Sequence, residues 1–281
     1  MVALDQNSVR DTIIGQLRDT EQGNCVRIPL AVESGSRGWG FPSPDSDYDC
    51  RFVYVNEPDW YLSVYHKRDV IEFAADDVFD VNGWDVRKFI GHLVKSNAVM
   101  FEWLASEVVY IRDERIVLLW QRLAERFFDP VHVSHHYLSL AIKIFHKIGK
   151  AGGEAGSEAG GEANNEAGEG RLKKYFYVLR SLVNLRFIEH HGKMPYTDFF
   201  RTLKEIPLDK EIAEQIDDAA GTKMTMDESF VVPEKRVLTE FFAAEIARQE
   251  ERLQTMKYSK ILDREFADEV FRLSLKLAWM D

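Results

Sequence analysis

The sequence predicts an α+β fold, a small mixed β-sheet followed by a larger α-helical part, on three observations. Four short runs that read as strands, rich in Val, Ile, Phe and Tyr, lie on the N-terminal side of Trp84. From Trp84 onward apolar residues recur at helical spacing, with Trp84, Val86, Phe89, Ile90, Leu93 and Val94 opening the pattern. A stretch of Gly, Ala and Glu at 151–170 then separates two helical patterns and has no aromatic or β-branched residue to bury.

In chain order, Val9, Ile13, Ile14 and Leu17 predict an amphipathic helix over 6–20. VRIPLAVE (26–33) and residues 49–55 read as strands, with two further strands near 69–74 and 78–81. Helices are expected over 98–105, 113–127, 131–149, 171–190, 196–204, 209–217 and 234–256. The expected domains are 1–112 and 113–281, with 151–170 a flexible acidic insertion in the second.

A chain of 281 residues that is 45% hydrophobic and 30% charged has the composition of a soluble globular protein. No apolar run approaches the roughly 18 residues of a membrane span, and MVALDQNSVRD has neither the basic nor the apolar region of a signal peptide. A cytoplasmic protein with no membrane partner is therefore expected. Two cysteines, Cys25 and Cys50, are too few for a disulfide framework or a thiolate zinc cage. The net charge of −11 argues against holding nucleic acid by overall positive field, although the insertion carries five glutamates and no basic residue.

The chemistry concentrates in ESGSRGWGFPSPDSDYDCRFVYV (33–55). Strand alternation places Asp47, Asp49 and Arg51 on one side and Tyr48, Cys50 and Phe52 on the other. Two neighbouring carboxylates repel unless a cation sits with them. Asp45 and Ser46, just after Pro44, read instead as a turn. A calcium EF-hand loop is rejected, because Cys50 and Asn56 stand where that loop needs Gly and Glu. Ahead of the aspartates, Gly35-Ser36 closes the preceding strand; glycine lets a backbone approach a phosphate, and amides and a hydroxyl bind its oxygens.

Gly35-Ser36 followed by Asp47-Tyr48-Asp49 resembles the DNA polymerase β-type nucleotidyltransferases. The longer string from GSRGWGF to RFVYV, with FDVNGWDVRKF, KSNAVMFEWL and LKKYFYVLRSL, is similar more narrowly to the YcgL/RlaP-type predicted nucleotidyltransferases, a branch associated with RNA repair. Ala98 stands where proline is expected. The resemblance implies a nucleotidyltransferase core in the first domain. Its reaction is transfer of a nucleoside monophosphate from an NTP, ATP among them, to an acceptor hydroxyl, with Mg²⁺ or Mn²⁺ as cofactor. Asp47 and Asp49 would hold metal, with a third carboxylate at Asp80 or Glu72. Gly35, Ser36 and Arg37 would hold phosphates, and Lys173, Tyr177 and Arg180, on one face of a helix, would add a cationic stripe facing them. An RNA end is the implied acceptor. A protein or small-molecule hydroxyl, and an inactive nucleotide-sensing or antitoxin-like module, stand as alternatives. Oligomeric state is not legible.

Overall fold

The computed structural model describes residues 6–73, 78–153, 171–228, 230, 232–233, 235–258 and 263–280. Of the acidic insertion, 154–170 lies outside the described residues. The fold is α+β, as expected. Its chain divides into two compact units, one formed by 1–38, 47–128 and 260–281, the other by 39–46 and 129–259.

The first unit is built on a mixed sheet of β1 (Val26–Glu33), β2 (Tyr48–Asn56), β3 (Val70–Glu72), β4 (Phe79–Asp85) and β5 (Val109–Arg112), in the order β3-β4-β2-β1-β5. β2 and β4 run parallel and the other pairs antiparallel. Helix α1 (Gln6–Asn24) presents Val9, Ile13 and Leu17 to one face, where they bury with Cys50, Phe52, Tyr54 and Val81. This is the period-3.6 stripe meeting the period-2 face. On the other side of β2, Val53 and Val55 are fully buried, and helices α3 (Val86–Leu93), α5 (Glu114–Phe127) and a C-terminal helix, Arg264–Trp279, pack against the sheet. The short α2 (Gly35–Gly38) links β1 toward β2, and α4 (Ala98–Ala105) follows α3.

Two boundaries differ from expectation. Trp84 continues β4, and the helix starts two residues later because the Asp85 side chain accepts from the Arg87 amide and caps it. Neither β5 nor the C-terminal helix was expected; Trp120 Nε1 donates to Ser274 Oγ at 2.9 Å and Trp279 Nε1 to the Asn56 carbonyl at 2.8 Å, tying that helix to this unit.

The second unit is helical: α6 (Pro130–Gly153), α7 (Arg171–His191), α8 (Phe199–Leu203), α9 (Lys210–Thr225) and α10 (Arg236–Gln254), leaving α11 for Arg264–Trp279 of the first. α6 and α7 form an extensive pair on which α10 packs. Buried Glu245 on α10 accepts from Arg186, Arg248 and Gln249, so the charge is compensated at every approach. Those donors overcome its burial and hold its carboxyl down at about 2.

Candidate active site

β1 ends at Glu33, and Gly35 turns the chain with φ +59°, a conformation that L side chains strain to adopt. The turn lies directly on β2. The Ser34 amide donates to the Asp49 carbonyl at 2.8 Å, and a Cβ on Gly35 would fall 1.9 Å from Asp49 Oδ2. Glycine is thus required both by the backbone angle and by the carboxylate seated on it. Gly38 is closed in likewise, a Cβ there lying 2.6 Å from the Glu33 carbonyl oxygen. Ser36 is buried in the turn. Arg37 Nε donates to the Asp47 carbonyl at 3.1 Å, and its guanidinium lies 3.9 Å over the Tyr48 ring, tethering α2 to the start of β2.

The parallel register of β2 and β4 sets Asp49 opposite Asp80 and Arg51 opposite Asn82. Asp80 stands at the start of β4 rather than at its end before the helix. Arg51 donates to Asp49 Oδ1 at 3.2 Å and Asp80 Oδ2 at 2.6 Å, and to the Cys50 and Asp80 carbonyls at 3.1 and 2.7 Å. Asn82 Nδ2 donates to Asp80 Oδ1. Asp47, one residue before β2, is exposed, and its carboxylate has no hydrogen-bond partner among the described residues. Glu72, in register with Asn82, pairs with Arg68.

Glu33 was not foreseen as part of this site. Its Oε1 accepts from the Asp49 amide at 2.7 Å and its Oε2 from Tyr110 Oη. Burial pushes its carboxyl up to about 7, against the hydrogen bonds from Tyr110 and Asp49, with the Asp49 charge raising it further. The available signal was an acidic residue ending an otherwise apolar strand immediately before Gly35-Ser36.

The remaining candidates lie in the second unit. Lys173 Nζ pairs with Glu228 at 2.7 Å. The Tyr177 ring meets Trp39 edge-on with centroids 5.2 Å apart, and buried Arg180 lies 3.9 Å over the same indole. Tyr177 and Arg180 therefore converge on Trp39, within the loop 39–46 that follows α2 in the chain. The predicted turn is present in that loop: the Ser43 amide donates to Ser46 Oγ and the Ser46 amide to the Ser43 carbonyl, while the Asp45 carboxylate accepts from the Glu228 amide.

Among the described residues no three His, Cys, Asp or Glu side chains are grouped as a metal cage. The all-oxygen donors of Asp47 and Asp49 nonetheless suit Mg²⁺, which binds through one or two carboxylates and completes its shell with water and substrate phosphates.

A Gly-Ser turn on which Asp49 of the next strand is seated, in a five-stranded mixed sheet, fits the polymerase β-type nucleotidyltransferases. The chain belongs to the RNA repair pathway DNA polymerase beta family (RlaP), whose model matches residues 9–273. It is 33% identical over 276 residues to the uncharacterized protein YcgL of Bacillus subtilis (strain 168), covering 97% of this chain and 99% of that one. A solved nucleotidyltransferase-like protein from Exiguobacterium sibiricum 255-15 superposes over 93% of this chain and 80% of its own, at 13% identity and a TM-score of 0.32. No helix among the described residues is long and apolar enough to cross a membrane.

Proposed function

We propose that the protein transfers a nucleoside monophosphate from an NTP to an acceptor hydroxyl, an RNA end, in a Mg²⁺-dependent reaction that Mn²⁺ also supports. The observation that supports the reading is the seat of the Asp49 carboxylate on Gly35, because it brings the Gly-Ser turn against the aspartate-bearing strand. The RNA acceptor rests on the family's description.

In the reaction the acceptor oxygen forms a bond to the α-phosphorus as the bond to the bridging α,β-oxygen breaks, pyrophosphate leaves, and the acceptor proton passes to solvent. Ser36 and the Gly35-Ser36 amides hold the leaving phosphates, and Arg37, fixed by the Asp47 carbonyl and Tyr48, adds positive charge there. Asp47 and Asp49 hold Mg²⁺, which when bound supplies neutralisation of the phosphate charge and an in-line pose. Glu33 and Tyr110 orient Asp49 through its backbone amide.

Asp47→Asn combined with Asp49→Asn is expected to lower pyrophosphate release at least about a hundredfold with an unchanged circular dichroism spectrum. A folded double variant that turns over at the wild-type rate contradicts the reading.

A further inference from the structure

We propose that Arg51 fills the place of a second cation, so that this site holds one divalent ion and not two. The inference rests on the metal reading above and concerns how many ions that site takes. Strand alternation puts Arg51 on the face of Asp49, and the parallel register puts both beside Asp80 and Asn82. From there its guanidinium reaches both carboxylates, Asp49 Oδ1 at 3.2 Å and Asp80 Oδ2 at 2.6 Å, while further bonds to the Cys50 and Asp80 carbonyls fix its plane. Asn82 takes the other oxygen of Asp80, so each oxygen of that carboxylate already has a donor.

Asp49 and Asp80 are paired across two strands and would repel if nothing cancelled their charge. In a two-ion site a second cation between the carboxylates does this. Arg51 does it with a charge that is permanent and cannot dissociate into solvent. Its side chain is 20% exposed and that of Asp49 28%, so this side of the cluster is partly shielded from water and salt, while Asp80 is half-exposed. The single ion would then sit at the exposed Asp47 carboxylate, beside Asp49. Asp80 is then a positioning residue for Arg51, not a metal ligand.

The count of bound Mn²⁺ per chain, followed by electron paramagnetic resonance on the full-length protein, tests this without reference to turnover. The wild type is expected to bind one ion, and Asp80→Asn to bind one with unchanged affinity. Arg51→Leu, which takes the guanidinium away from both carboxylates, is expected to bind two. Two ions on the wild type, a folded Arg51→Leu that still binds one, or an Asp80→Asn whose affinity falls about tenfold or more, as for a lost ligand, each overturns the proposal. Asp80→Asn decides the matter if Arg51→Leu does not fold. A wild type that binds no ion overturns the proposal together with the metal reading, whereas two ions overturn the proposal and leave that reading standing.

Discussion

Gly35 and Asp49 show how a single missing Cβ builds a site. Gly35→Ala must either leave φ +59°, or hold it and push aside a carboxylate oxygen 1.9 Å away. The backbone strain alone is about 1–2 kcal/mol. The substitution is expected to lower the urea midpoint accordingly and to reduce nucleotidyl transfer at least about tenfold, since a misplaced group near the chemistry is costly; wild-type transfer in this variant contradicts the contact. Glu33 gives a pH signature at the same scale. Its folded pKa, about 7, lies above the ordinary value of 4.5 because burial favours the neutral acid. The sign follows: its contribution is most favourable below pH 4.5 and is lost as pH rises through 7, at about 1.4 kcal/mol per pH unit separating the two values. Thermal melts between pH 5 and 8 should fall more steeply for the wild type than for Glu33→Gln, and parallel curves contradict the assignment. The Gly-Ser pair and the alternating aspartates were legible in the sequence because their signals are local. The partners of Arg51 and Glu33 were not, because Asp80 is 29 residues from Arg51 and Tyr110 is 77 from Glu33, distances that only strand order and register close.

Between elements, β2 against β4 is the pairing on which the site depends. Its parallel register places Gly83 opposite Phe52, and a Cβ at Gly83 would lie 2.1 Å from that ring. Phe52 is fully buried and has no room to withdraw. Gly83→Ala is therefore expected to cost about 1–3 kcal/mol by overpacking, read from denaturant unfolding, and a stability equal to wild type would show that the two strands are not in this register. The same pairing explains where the sequence misled. Trp84 has the helical spacing of the residues after it, yet it lies on β4 opposite Val53, and the buried capping carboxylate of Asp85, hydrogen-bonded to Asn56 and Tyr61, decides where α3 begins. β5 went unread because its four residues are all half-buried and show no alternation. By contrast α4, with Asn97 as its cap, matches its expected span of 98–105.

At the scale of the molecule, each compact unit gathers segments distant in the chain. The first takes in α11 from the C-terminal end, and the second takes in the loop 39–46 between the Gly-Ser turn and Asp47. Packing of this kind leaves no local signature in the sequence, because it rests on contacts between distant residues such as Trp120 with Ser274 and Arg180 with Trp39. Family membership and the Asp49 carboxylate on the Gly-Ser turn support the proposed reaction, in which the α-phosphate of an NTP would be the group that moves. The most direct test is to incubate the protein with Mg²⁺, RNA ends and each NTP in turn, labelled either at the α- or at the γ-phosphate. The account predicts that α-label becomes attached to the RNA, that γ-label appears only as pyrophosphate, and that the Asp47→Asn, Asp49→Asn variant yields neither. Transfer of γ-label, release of orthophosphate, or no consumption of any NTP would contradict it.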